Sequence, residues 1–236
     1  VGVNTSESYT DPSGHVAVID LTSGAVTSEV ALGGQPDSVA ISPDKRYVAI
    51  AIENERDEEA CADGLSLDAE AEVCIDPTTG TESDLGELPQ GPAGNLQILD
   101  LSGPLDASSL TTVDLTGLAD YAPGDPEPEF VDINLANQAA VTLQENNHVV
   151  LVDLASGTVT DDFSAGTVTL DGIDAVEDDM ISMTETLEDV RREPDSIAWM
   201  SGNHLATANE GDLFGGSRGF TVWDANGEVD YDSGVD

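Results

Sequence analysis

Three segments of this chain are variants of one phrase. Pro36-Asp37-Ser38-Val39-Ala40-Ile41, Pro128-Glu129-Phe130-Val131-Asp132-Ile133 and Pro194-Asp195-Ser196-Ile197-Ala198-Trp199 each open a β-rich run. Each run ends in a second acid, Glu53, Glu145 or Glu210, which lies 16, 16 and 15 residues after the first. A repeat of this size requires an array of similar supersecondary units, and that excludes most folds at once.

The spacing of apolar runs and turn residues gives each unit four strands. One unit has strands over 38–41 and 47–52, joined by the tight turn Ser42-Pro43-Asp44-Lys45, then strands over 95–101 and 110–115. The next reads 129–133, 139–143, 148–154 and 158–163, its last two strands joined by Ala155-Ser156-Gly157. The last reads 195–200, 204–208, 219–224 and 228–231, with Ala225-Asn226-Gly227 as a hairpin turn. At the start, 1–4 matches the end of a second strand, followed by 15–21, the turn Thr22-Ser23-Gly24, and 25–32.

Repeated four-stranded antiparallel meanders predict an all-β fold, a β-propeller with three full blades and one partial blade. A β-sandwich also has many short strands, but it does not return one phrase at a fixed place in every fourth strand. The expected divisions are a partial blade over 1–34, a blade over 35–118 carrying an acidic loop at 54–94, and a blade over 119–164 entered through a Pro-rich connector. An insertion over 165–192 and a blade over 193–236 follow. The insertion contains Val176-Glu177-Asp178-Asp179-Met180 and a stretch at 184–192 read as helical. The chain opens in mid-unit at Val1, without an initiator Met or a signal-peptide pattern. The expectation is therefore a mature or trimmed product belonging to a larger ring, completed by the rest of a precursor or by another chain.

Among the 236 residues, 48 acids face 6 Lys and Arg, a formal net charge of −42. Such a field repels nucleic acid and anionic membrane surfaces, and it favours solubility in salty surroundings. Disorder does not follow from it. Hydrophobic residues make up 39% and cluster into strand-length runs such as Val48-Ala49-Ile50-Ala51-Ile52. No apolar run reaches the length of a membrane span.

Cys61 and Cys74 share the acidic loop. A bridge between them would close a ring worth roughly 3 kcal/mol in loop entropy and would point to an oxidising compartment. A two-cysteine zinc site is the competing reading, with no His nearby to complete it.

The start of the first strand and the end of the second lie at one edge of a meander. The spacing therefore predicts Asp37 beside Glu53, Glu129 beside Glu145, and Asp195 beside Glu210, near the propeller axis. Crowded carboxylates repel one another unless protons or a cation relieve them. Hard oxygens at this density suit Ca²⁺, with Asn54, Asn146 and Asn209 as sources of neutral oxygens. The structural alternative is that each acid accepts backbone N–H groups and fixes the passage between blades. A second, weaker hint is Glu59-x-Cys61-x-Asp63-Gly64 with Glu70, a poor EF-hand match that also reads as a solvated acidic loop.

Other chemistry is sparse. His15, His148 and His204 fall at strand starts in three different blades, without zinc or triad spacing. Arg191, Arg192 or Arg218 could meet an anionic substrate, or pair with neighbouring carboxylates. Arg218 and Asn209 are the candidates for substrate binding. No nucleophile elbow, Walker loop or dinucleotide fingerprint occurs.

Gln35-Pro36-Asp37-Ser38-Val39-Ala40-Ile41-Ser42-Pro43-Asp44, Val141-Thr142-Leu143-Gln144-Glu145-Asn146-Asn147 and Thr207-Ala208-Asn209-Glu210-Gly211-Asp212 resemble the secreted bacterial and archaeal propellers of the choice-of-anchor I group. Members of that group are often labelled alkaline-phosphatase-like or phytase-like esterases. The phrase also resembles the broader surface-layer propeller repeat. The resemblance spans essentially the whole chain and implies an extracellular, periplasmic or cell-surface propeller with more blades. The chain departs from the group in its acidity and in Leu213-Phe214.

Two functions follow as expectations. One is a calcium-binding module that presents its loops to the cell envelope or to a protein partner. The other is a calcium-dependent hydrolase of phosphorylated small molecules, in which metal ions would bind phosphate and activate water.

Overall fold

The repeated phrase forms the first strand of three antiparallel meanders. The computed structural model describes residues 1–176, 179–224 and 226–234. A three-stranded sheet comes first, from β1 (Gly2–Asn4), β2 (Gly14–Ile19) and β3 (Val26–Leu32). The first full meander begins with β4 (Pro36–Ile41) and β5 (Tyr47–Ile52). The chain then leaves it for a small sheet of β6 (Ser66–Asp68), β7 (Val73–Ile75) and β8 (Glu82–Ser83), and returns as β9 (Asn95–Asp100) and β10 (Leu110–Asp114). The second meander is β11 (Pro128–Ile133), β12 (Gln138–Leu143), β13 (His148–Asp153) and β14 (Thr158–Ser164). A hairpin of β15 (Thr167–Ile173) and β16 (Glu185–Arg191) precedes the third, β17 (Pro194–Trp199), β18 (Leu205–Asn209), β19 (Gly219–Trp223) and β20 (Val229–Asp232).

Successive sheets pack face to face, and β1, β4, β11 and β17 follow one another side by side. Strand β5 shows why. All six of its residues are buried, so its apolar run is covered on both faces. Tyr47, Ala49 and Ala51 meet Val131, Ala139, Val141 and Val150 of the second meander. Val48, Ile50 and Ile52 meet Val16 and Val30 of the first sheet. On the far side of the second meander, Ala140, Val149 and Leu151 pack against Ile197, Leu205 and Trp223. Each fully buried large aliphatic contributes on the order of 2 kcal/mol, so these seams stabilise the stack.

The turns follow local chemistry. At Ser42, the hydroxyl accepts the N–H groups of Arg46 (3.1 Å) and Tyr47 (2.9 Å), and Lys45 takes a left-handed φ of 62°. In the turns ending at Gly24 and Gly157, both with positive φ, the preceding Asp20 and Asp153 carboxylates accept the Ser23 and Ser156 N–H groups. Ala225, in the expected hairpin turn after β19, lies outside the described residues, as do Glu177 and Asp178.

One expectation is corrected. Residues 184–192 are not helical, and among the described residues there is no α-helix. Strand β16 pairs antiparallel with β15, setting Leu170 opposite Leu187 and Val168 opposite Val190. The Glu, Leu and Arg content gives only a weak helical preference, and a partner strand overrides it. The loop 54–94 carries the Cys61–Cys74 disulfide, with the Cα atoms 5.5 Å apart.

Candidate metal centre

Why the phrase begins Pro-acid is visible in the ladders. Every first strand is irregular at that point, with register shifts between Pro36 and Val39, Pro128 and Val131, and Pro194 and Ser196. Proline has no N–H to offer the ladder, and a bulge turns the following side chain away from the regular alternation. The acid after each proline is therefore re-aimed rather than set squarely opposite the acid that ends the second strand.

Asp37 of β4, Glu53 just past β5 and Glu129 of β11 converge as a result, one carboxylate oxygen of each lying within 4.8 Å of the others. Asp37 is exposed, Glu129 half-buried and Glu53 buried. Carboxylates this close repel one another unless protons or a cation lie between them. Burial, then the charges of Asp37, Glu145 and Glu127, push Glu53 up to about 8. Burial and the charges of Glu53, Asp37 and Glu145 push Glu129 up to about 10. Asp37 is raised as well, first by the loss of hydration among the crowded carboxyls, although its outer surface is exposed.

The other expected acids lie around this trio in different states. Glu145 is buried, and its Oε1 receives Arg56 Nη1 at 3.2 Å. Burial holds it up at about 7 against the pull of Arg56. Asp195 is half-buried and raised by burial and by Glu210. Glu210 is exposed and accepts Gln144 Nε2 at 3.3 Å.

Two residues escaped the sequence reading. Glu127 is only 1% exposed, and neither of its carboxylate oxygens has a hydrogen-bond partner. Burial, Glu145 and Asp125 push it up to about 10. A signal for it existed, because the residue before each phrase proline is Gln35, Glu127 or Glu193. Arg56, also buried, donates from Nε to Gly86 O (2.9 Å) and from Nη2 to Asp212 Oδ2 (2.6 Å). It has no repeat counterpart, so nothing in the sequence marked it.

The asparagines are joined to backbone. Asn54 Oδ1 accepts Gln35 N–H and Asn146 Oδ1 accepts Glu127 N–H, both at 2.9 Å. In the third meander Gly211 occupies the equivalent position, and Asn147 of the second meander accepts Glu193 N–H instead, at 2.9 Å. Asn209 donates to Ser217 Oγ (3.3 Å) and Thr221 Oγ1 (2.9 Å), inside its sheet. Arg218 is exposed in the loop before β19. Arg192 pairs with Asp232 at 2.8 Å, and Arg191 lies over the rings of Tyr121 and Phe214. Each histidine meets an acid: His15 with Glu29 (3.5 Å), His148 with Asp162 (2.9 Å) and His204 with Asp230 (3.0 Å). In the acidic loop, Cys61 is held in the disulfide and Asp63 accepts Gly91 N–H, so these two residues of the EF-hand hint serve the loop itself.

Comparison with known proteins gives one family. The model of the choice-of-anchor I domain matches residues 1–215. No curated protein matches significantly. Among solved structures, Kuenenia stuttgartiensis hydrazine synthase is similar at 15% identity and a TM-score of 0.37, over 97% of this chain and 64% of that one. A chain of the COPII outer coat vertex on membranes is similar at 10% identity and a TM-score of 0.48, over 97% of this chain and 45% of that one. The chain thus spans less than two thirds of either.

Proposed function

We propose that this chain, which belongs to the choice-of-anchor I domain family, is a secreted or cell-surface binding module built as blades of a β-propeller, and that its carboxylate cluster takes calcium. Membership of the family fits a secreted or surface-attached protein, as does the disulfide. No helix among the described residues is long and apolar enough to cross a membrane.

The observation that carries the calcium reading is the convergence of Asp37, Glu53 and Glu129 next to Glu127, whose buried oxygens have no donor. A group of carboxyls can relieve its repulsion by holding protons, as the raised Glu53 and Glu129 do, or by sharing a divalent cation. Oxygen-only donors on separate strands suit the large, flexible coordination shell of Ca²⁺ better than the tight octahedron of Mg²⁺. Asp37, Glu53 and Glu129 would hold the ion, tying the first strands of two meanders together. It would supply positive charge where carboxylates converge in a strongly acidic chain.

The competing reading is a calcium-dependent phosphoester hydrolase. It is less favoured, because the buried arginine nearest the cluster is paired with Glu145 and Asp212, and a −42 field repels phosphate. Calcium titration by calorimetry, followed by a phosphomonoester assay on the same sample, separates the two. The account expects binding that Glu53→Gln abolishes, without turnover. Hydrolysis lost on chelation would replace the binding reading, and absence of calcium binding would remove both.

A further inference from the structure

We propose that Asn4 carries an N-linked glycan, added before the chain folds. The inference rests on the secreted or cell-surface part of the reading above and is independent of calcium.

Asn4-Thr5-Ser6 fits the acceptor pattern for N-glycosylation, an Asn two residues before a Ser or Thr with no Pro between them. The chain has ten asparagines, and at the other nine the residue two places on is neither Ser nor Thr. A tripeptide is short enough to arise by chance, so the setting of the amide decides whether it can hold a glycan.

The setting is open. Asn4 is exposed at the end of β1, where it pairs with Gly14. Its Oδ1 accepts Ser6 N–H at 2.9 Å, which fixes the side chain in a local turn. Its Nδ2, the atom to be modified, makes no hydrogen bond among the described residues. Elsewhere the same atom is committed, since Nδ2 of buried Asn54, Asn146 and Asn147 donates to backbone carbonyls. Asn4 also borders a shallow hollow of about 190 Å³ with Ser6, Tyr9, Gln35 and Glu55, so a bulky hydrophilic group on it displaces no packed element.

The donor class is a polyprenyl-phosphate-linked oligosaccharide, presented by a membrane oligosaccharyltransferase. Asn4 Nδ2 attacks C1 of the first sugar. The N–C1 bond forms, and the C1–O bond to phosphate breaks, its electrons leaving with the polyprenyl phosphate. One amide proton passes to a base of the transferase, and nothing is oxidised or reduced. The pattern requires the Ser6 hydroxyl, and in the folded chain that hydroxyl donates to Ser13 O (3.3 Å) and accepts Ser13 N–H (3.0 Å). The transfer therefore precedes closure of the 5–13 loop.

The test uses the protein produced in its source organism, separated into medium, envelope and cytosol. Tandem mass spectrometry maps the peptide containing Asn4 in the wild type, Asn4→Gln, Ser6→Ala and Ser6→Thr. The expected result is protein in the medium or envelope with a mass increment of one or more sugars localised to Asn4. The increment should vanish in Asn4→Gln and Ser6→Ala and persist in Ser6→Thr, which keeps the hydroxyl. Exported wild type with unmodified Asn4 overturns the inference and leaves the secreted reading standing. An increment that survives Asn4→Gln does the same, because the sugar then sits on a hydroxyl such as Thr5. Protein confined to the cytosol overturns both.

Discussion

At Asn146 a single amide serves four backbone groups. Its Oδ1 takes Glu127 N–H, and its Nδ2 approaches the carbonyls of Tyr121 (3.2 Å), Ala122 (3.4 Å) and Asp125 (3.0 Å). The residue is buried, so truncation leaves several polar groups without water or partners. Asn146→Ala should cost about 3 kcal/mol in urea unfolding; a loss below about 1 kcal/mol would show that the amide is not what holds Glu127 in place. The raised acids make a second prediction. Glu53 titrates near 4.5 when unfolded and near 8 when folded, so between these values the native state holds more protons than the unfolded one. Stability then falls as pH rises through that window, and Glu129, Glu127 and Glu145 act in the same direction. In chelator, the Tm should drop between pH 5 and pH 9, and saturating calcium should flatten the curve. A Tm that rises with pH in chelator would contradict these shifts.

Among the elements, strands were legible where apolar content was dense. The run through β5 is buried on both faces, and such a run has one reading when tight turns bound it. Strand β16 was misread because its acidic, Leu-containing sequence suits an exposed helix as well as an edge hairpin, and only β15 decides between them. The bulges could not be seen at all. They are events of pairing, and at the bulged strand starts Asp37 lies close to Glu129 of the next meander as well as to Glu53, the neighbour that spacing alone gave it. Arg56 was hidden for a related reason, since a single residue in a long insertion carries no periodicity. That insertion is held by the Cys61–Cys74 bridge and by Asn54, whose Nδ2 donates to Pro92 O (3.2 Å) and Ala93 O (3.1 Å). Replacing both cysteines by serine should destabilise the loop by about 3 kcal/mol. Limited proteolysis should then cut first within 54–94. Initial cleavage within β5 or β9 would mean that the loop and the sheet unfold as one unit.

For the whole molecule, charge dominates. A net of −42 on 236 residues means that any site concentrating carboxylates works against the field of the entire chain. The fold concentrates them regardless, because three variants of one phrase place their acids at the same end of neighbouring sheets. The sequence reading reached this end of the sheets and the residue types there. It could not reach the division of labour, in which Asp37, Glu53 and Glu129 converge while Glu145 is tied to Arg56. The most direct test is a crystal structure of the protein grown with calcium. The account predicts an ion bound by oxygens of Asp37, Glu53 and Glu129 at about 2.3–2.6 Å. Carboxylates that stay paired through protons at saturating calcium and pH 8, with no ion among them, would contradict it.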